Sequence, residues 1–264
     1  MSGGAIIELA GVGKSFDGGK SFAVDGVDLK VAAGELLALV GASGSGKTTT
    51  LKTINRLVEP DRGQVLIEGA PAHGFAAPEL RRRIGYVFQG IGLFPHLSVA
   101  ENIGVTPSLL GWSRPDIQAR TLELLDLVGL PRAYAGRAPA ALSGGERQRV
   151  GVARALAARP KIVLMDEPFG ALDPVTRDCL GQAYRELHET LGLTTVMVTH
   201  DMQEAILLAD RIAVMRQGRL VAAGAAGELV SASADPDVRS LMDMPRRQAE
   251  RVRARLGEDG DAHG

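Results

Sequence analysis

Short apolar runs bounded by glycine alternate along most of this chain with segments whose apolar residues recur at helical spacing. That alternation predicts an α/β fold with parallel strands. Glu35-Leu36-Leu37-Ala38-Leu39-Val40 is apolar at nearly every position, as a strand covered on both faces should be, and it empties into a glycine-rich turn. Thr48 to Leu57 has the spacing of a helix entered through that turn. Ile84 to Phe88, Ile162 to Met165 and Thr194 to Val198 are further short, β-rich runs. Arg211 to Met215 and Gln217 to Val221 read as a hairpin with Gly218 at its turn.

Two regions depart from this pattern. The first 30 or so residues alternate as an antiparallel sheet does, with Ile6, Glu8, Leu9 and Val12, then Ala23, Val24, Val27 and Leu29. Residues 97–139 favour helices, with Ile117, Leu122, Leu125 and Leu127 at helical spacing. This block interrupts the α/β alternation and predicts a helical subdomain inserted over about residues 97–158 of one domain, 1–230. From Ser231 the pattern weakens, so 231–264 reads as a tail whose last residues, Gly257 to Gly264, are expected to be disordered.

Composition narrows the class. The 264 residues are 45% hydrophobic but only 4% aromatic, and no apolar run approaches the roughly 20 residues a bilayer span needs. Met1-Ser2-Gly3-Gly4 lacks the basic region and apolar core of a signal peptide, which predicts a cytoplasmic chain. A net charge of −1 gives no general electrostatic reason to bind nucleic acid or anionic lipid. The one cysteine, Cys179, has no nucleophile motif around it and reads as a small buried hydrophobe.

Candidate chemistry lies at the strand ends. Gly41-Ala42-Ser43-Gly44-Ser45-Gly46-Lys47-Thr48 links a strand to a helix, so its backbone N–H groups can converge on one anion while the helix N-terminus adds partial positive charge. Lys47 can reach the β- and γ-phosphates of a nucleotide, and the Thr48 hydroxyl can ligate Mg²⁺. Asp166 ends an apolar strand, a suitable place for a carboxylate holding Mg²⁺ through water. Glu167, pointing the other way, can act on the water that attacks the γ-phosphate. Ser143-Gly144-Gly145 precedes a helix predicted over Glu146 to Ala158; it is either a second anion-binding turn or a plain helix cap.

Between the glycine-rich loop and Lys161-Ile162-Val163-Leu164-Met165-Asp166-Glu167 lies Leu142-Ser143-Gly144-Gly145-Glu146, followed by Arg147-Gln148-Arg149. In this order, with Pro168 and Ala171-Leu172-Asp173 following, the motifs resemble the ATP-binding cassette family. The resemblance covers about residues 6 to 230. It implies a P-loop NTPase core with an antiparallel β subdomain and an inserted α-helical subdomain, working as a homodimer that binds two ATP molecules between its copies. ATP would be bound by Phe16, Gly41, Ser43, Gly44, Ser45, Gly46, Lys47, Thr48 and Thr49. The turn Ser143, Gly144, Gly145 and Glu146 would close over the ATP of the opposite subunit, and Asp173 would lie at the dimer contact. Gln89 would contact Mg²⁺, with Thr48 and Asp166, and also the attacking water. His200, within Val198-Thr199-His200-Asp201 and ahead of Glu204-Ala205, would contact the γ-phosphate beside the catalytic Glu167. Phe16 is the candidate for stacking on adenine, with Phe22 as its rival in the same loop.

Within the family, the 96 positions between Lys47 and Ser143 leave no room for the coiled coil of chromosome-organising ATPases. A single motif set is unlike the tandem-cassette translation factors, and the insert lacks the zinc-ligand cysteines of repair relatives. Leu93 to Ile103 resembles the importer segment that helps to form a groove for the membrane subunit. Leu51 to Pro60 and Ile91 to His96 are most similar to the osmoprotectant subfamily, whose cargo is glycine betaine, choline, carnitine or proline. The resemblance therefore implies an importer ATPase on the cytoplasmic face of the membrane, with transmembrane permease subunits and, indirectly, an extracellular or periplasmic solute-binding protein. An amino acid, polyamine or sulfonate cargo remains the alternative, as does a non-transport ATP-gated clamp. After Gly227 only 37 residues remain, too few for the regulatory cystathionine-β-synthase-type domains of longer members. Arg246, Arg247, Arg251, Arg253 and Arg255 fit a solvated helical tail or a lipid- or partner-binding patch.

Overall fold

The computed structural model describes residues 4–256 apart from 91, 171, 232 and 234. The stretch 257–264, expected to be disordered, lies outside the described residues. The fold begins with β1 (Ala5–Lys14) and β2 (Val24–Ala32), which pair antiparallel with Leu9 opposite Leu29 and Val12 opposite Val27. A bulge falls between Leu9 and Val12, and the side chains turned inward are Ile7, Leu9, Val12, Val27, Leu29 and Val31. After β3 (Leu36–Val40) and α1 (Lys47–Ile54), the chain returns through β4 (Arg62–Ile67) and the short β5 (Ala70–Pro71). These complete an antiparallel sheet in the order β2-β1-β4-β5.

The chain continues through α2 (Ala77–Arg83) and β6 (Ile84–Val87) to three helices, α3 (Val99–Leu109), α4 (Arg114–Leu127) and α5 (Gly144–Leu156). β7 (Ile162–Asp166), α6 (Pro174–Leu191), β8 (Thr194–Val198), α7 (Met202–Leu208), β9 (Arg211–Arg216) and β10 (Arg219–Gly224) follow. The second sheet has the order β10-β9-β3-β8-β7-β6, and five of its strands run parallel with β10 as the antiparallel edge. β3, β7 and β8 are buried at every position. Alternate residues feed two cores: Leu36, Ala38, Val40, Val163 and Met165 face the helices, while Leu37, Leu39, Ile162 and Leu164 face α1 and the small sheet. That two-sided burial is why these runs lack an apolar–polar alternation.

The helical block is fastened by buried contacts. Gly104 on α3 lies so close to α4 that an added Cβ would stand 2.7 Å from Ile117 Cγ2. Arg120 of α4 is buried and donates to the carbonyls of Leu156 (2.9 Å) and Ala157 (3.4 Å) at the end of α5. Leu156 O also accepts from Arg159 N (3.1 Å), so the guanidinium adds to the donors at this helix end. α5 starts at Gly144, two residues earlier than its sequence pattern indicates, because Ser143 caps it.

One expectation differs from the structure. Cys179 is exposed on α6 rather than buried, because it lies on the solvent face with Asp178 and Gln182. Beyond α8 (Ala226–Ser231), where the pattern fades, the chain forms the 21-residue helix α9 (Pro236–Leu256). Only its first turns are anchored, by Val238 and Met242, each 2% exposed in the helix-side core. With one short apolar strip on a charged helix, periodicity had little to report. Arg246 and Arg247 pair with Glu250 and Asp243 of the same helix.

Candidate functional site

In an open parallel sheet, ligands bind beyond the carboxyl ends of the strands. Here those ends carry the residues singled out in the sequence. β3 leads into the glycine-rich loop, β7 ends at Asp166 with Glu167 next, and β8 leads to Thr199 and His200. The register aligns Asp166 with Val198, and Val87 with Met165, so Gln89 follows at the same edge in an exposed turn. Segments far apart in the chain are thus brought together by sheet pairing.

The loop can hold this shape only with glycine. At Gly41 (φ 145°) an added Cβ would stand 2.2 Å from Met215 O, and at Gly46 (φ 101°) 2.3 Å from Ala23 O. Helices α3 to α7 all begin with a side-chain cap, from Ser98, Ser113, Ser143, Asp173 and Asp201. α1 follows Gly46, which has no side chain to cap it, so its first N–H groups are left for an anion; α2, after Ala76, is the other of α1 to α7 without a side-chain cap. Ser45 Oγ is likewise buried and without a hydrogen-bond partner among the described residues.

Lys47 is 6% exposed and donates to the carbonyls of Gly41 (2.8 Å) and Ala42 (3.0 Å). Burial pushes its ammonium pKa down, against the pull of Glu167 and Asp166. Thr48 Oγ1 donates to Asp166 Oδ1 at 2.8 Å. Burial pushes the Asp166 carboxyl up, while the Thr48 bond and Lys52 and Lys47 draw it down. A hydroxyl and a carboxylate side by side are hard oxygen donors, suited to Mg²⁺. No cluster of three or more His, Cys, Asp or Glu residues that could hold a metal exists among the described residues. Such a site fits an ion that keeps waters and substrate phosphates in its shell.

Glu167 adopts left-handed backbone geometry (φ 49°), uncommon for a non-glycine residue and often found at functional sites. Its N–H still donates to Val198 O (2.9 Å), so the chain stays on the sheet while turning. Its Oε1 lies 3.4 Å from His200 Nδ1. His200 is 63% exposed, open to the space beyond the sheet.

The remaining predicted residues are placed as follows. Phe16 is 68% exposed, with Lys14 Nζ 5.6 Å from its ring centre, whereas Phe22 is half-buried beneath the Arg62 guanidinium at 4.2 Å. Ser143 and Glu146 form a capping box: Ser143 N donates to Glu146 Oε2 (2.7 Å) and Glu146 N to Ser143 Oγ (3.2 Å). Asp173 caps α6 by accepting from Thr176 N (3.0 Å), which holds its carboxyl below the ordinary range. Thr49 is half-buried in the first turn of α1.

Arg177, Thr199 and Glu204, to which no motif gives a task, also lie beside the site. Asp201-Met202-Gln203-Glu204 has the spacing of a capping box, which could have flagged the loop. Asp201 does cap α7, but Glu204 turns inward, 8% exposed, where it accepts from the Thr199 hydroxyl. Burial raises its pKa from its ordinary 4.5 to about 7.

Comparison with known proteins accords with this geometry. The sequence profile of the ABC transporter family matches residues 24–170. The choline transport ATP-binding protein OpuBA of Bacillus subtilis (strain 168) is 48% identical over 91% of this chain and 63% of its own length. The chain therefore spans a little under two thirds of that relative. The glycine betaine uptake system ATP-binding protein YehX of Escherichia coli (strain K12) is 46% identical over 97% of this chain and 86% of its own. Among solved structures, the dimeric post-hydrolysis state of the ATP-binding cassette MJ0796 bound to ADP and Pi superimposes with a TM-score of 0.77, at 34% identity. That match covers 83% of this chain and 98% of the other. No helix among the described residues is long and apolar enough to cross a membrane.

Proposed function

This chain belongs to the ABC transporter family, and on that premise we propose that it is the ATP-hydrolysing subunit of a bacterial importer for a small solute. The observation that carries this reading is the convergence of the uncapped α1 N-terminus, Lys47, the Thr48–Asp166 pair and the Glu167–His200 pair at one sheet edge. The glycine-rich loop and Lys47 bind the triphosphate, and Phe16 offers a free aromatic face to adenine. Thr48, Asp166 and Gln89 would hold Mg²⁺, which neutralises phosphate charge when bound. Glu167 takes the proton of the attacking water, and His200, beside it, contacts the γ-phosphate.

The working unit is a homodimer in which the Ser143–Glu146 turn of one copy closes over the ATP held by the other. ATP binding closes the pair and hydrolysis reopens it, driving permease subunits at the cytoplasmic face of the membrane. Its relatives OpuBA and YehX support a quaternary-amine cargo such as choline or glycine betaine. Purified protein should hydrolyse ATP in the presence of Mg²⁺, and Lys47→Ala should weaken ATP binding by about tenfold or more, since it removes the charge facing the β- and γ-phosphates. Unchanged ATP affinity in that variant would reject the loop assignment. Failure to co-purify with a polytopic membrane protein would reject transport, and choline and glycine betaine binding by the associated receptor tests the cargo.

A further inference from the structure

Glu167 and His200 sit on turns leaving adjacent strands, and their separation depends on how those turns are tied together. One side chain spans them. Arg177, in the first turn of α6, donates through Nη2 to Leu172 O (3.1 Å) and through Nη1 to Asp201 Oδ2 (3.0 Å). Leu172 belongs to the turn that follows Glu167, and Asp201 directly follows His200.

Both flanks of His200 are held from this point. Asp201 Oδ1 accepts from Gln203 N (2.9 Å) and Glu204 N (3.2 Å), and Asp201 N donates to Thr199 Oγ1 (3.0 Å). The Thr199 hydroxyl in turn donates to Glu204. On the far side, Leu172 packs over Gly145 of α5, where an added Cβ would stand 3.2 Å from Leu172 Cδ2. A chain of contacts thus runs from the signature turn through Leu172, Arg177 and Asp201 to His200.

The Arg177 side chain is 32% exposed, on the wall of a cavity of about 510 Å³ between α6 and α7. A pair this exposed adds little to global stability. Its planar, two-pronged donor geometry, however, can fix two acceptors relative to each other, which a lysine cannot do. We propose that Arg177 is a positioning residue for ATP hydrolysis, holding His200 against Glu167 by bridging the Leu172 carbonyl to Asp201. The proposal rests on reading the chain as an ATPase. By the same bridge, His200 answers to the position of the Leu172–Asp173 turn.

The test uses Arg177→Ala and Arg177→Lys in the full chain, each with His200 intact and with His200→Ala. ATP affinity, kcat and, in the nucleotide-free protein, the His200 Hε1 resonance are measured. With His200 intact, Arg177→Ala should lower kcat by about tenfold or more while ATP affinity stays within about twofold. Arg177→Lys keeps the charge without the two-pronged geometry and should recover little of the rate. In the His200→Ala background, Arg177→Ala should cost less than about twofold, because the two residues act as a unit. The His200 resonance should move in Arg177→Ala.

Wild-type turnover in Arg177→Ala would overturn the proposal. So would an equal loss in both backgrounds, or a fall in ATP affinity matching the fall in rate. An unmoved His200 resonance overturns the bridge whether or not the protein turns over ATP. A moved resonance with no turnover in the wild type leaves the bridge standing and overturns the functional reading, and with it Arg177's part in hydrolysis.

Discussion

At the scale of single residues, burial decides what the site's ionisable groups can do. Lys47 and Asp166 are both buried, and each is pushed toward its neutral form. A triphosphate opposite Lys47 and a cation beside Asp166 would restore the charged forms. Glu167→Gln keeps the size and hydrogen bonding of this side chain but removes the base, so kcat should fall by about 10²–10⁴-fold with ATP still bound. Size-exclusion chromatography with ATP should then show a trapped dimer, and full turnover would reject Glu167 as the base. Glu204 gives a prediction of opposite kind. Its folded pKa is raised, from 4.5 to about 7, so the folded state binds more protons than the unfolded one between those values. Stability from this group is therefore present below about pH 4.5 and lost as pH rises through about 7. Glu204→Gln keeps an acceptor for Thr199 and removes the titration. Relative to wild type, its stability to urea should be higher at pH 8 than at pH 5, by up to about 2.5 kcal/mol. A pH-independent difference would show that Glu204 is not held near neutrality by burial.

At the scale of elements, the contrast between α1 and its neighbours carries the argument. Helices α3 to α7 satisfy their first N–H groups with serine or aspartate, whereas α1 starts at a glycine whose tight approach to Ala23 leaves no room for a side chain. α2 also lacks a side-chain cap but carries Pro78 in its first turn, whereas the uncapped start of α1 lies at the glycine-rich loop, open to ligand. α9 poses a different question, because a long charged helix is held by few buried groups. Val238 and Met242 are its anchors, and Arg216 on β9 pairs with Asp237 at its start. Met242→Ala should lower stability to urea by about 2–4 kcal/mol, in line with truncation of other buried methionines. A loss below about 0.5 kcal/mol would mean that α9 undocks before the core unfolds.

At the scale of the whole molecule, the proposed nucleotide site would be completed by a second copy. Cysteines placed at Ser43 and Ser143, in a background with Cys179 replaced, report this directly. Cys179 is exposed and would otherwise compete for the crosslinker. ATP should drive crosslinks between chains, because closure brings two anion-binding turns to one nucleotide. A product formed only within one chain would reject the shared site.

Much of this was written locally. β3, β7 and β8 are short runs whose apolar character reports two-sided burial without long-range information, and Gly218 marks the turn of the β9–β10 hairpin. The glycine-rich loop between β3 and α1, Asp166 at the end of β7 and the Ser143 turn that opens α5 were legible as positions for the same reason: each is specified by residues adjacent in the chain. β4, β5 and α9 were not, since an exposed edge and a helix with one short buried strip carry weak periodicity. Only the tertiary structure aligned the strand ends and brought Glu167 within 3.4 Å of His200. Only it turned Glu204 inward to Thr199 and set Arg177 between Leu172 and Asp201, 5 and 24 residues away along the chain. Spacing along a chain fixes what lies on one face of one element. Which side chains meet across elements is set by sheet order, register and packing, and those exist only once the chain has folded.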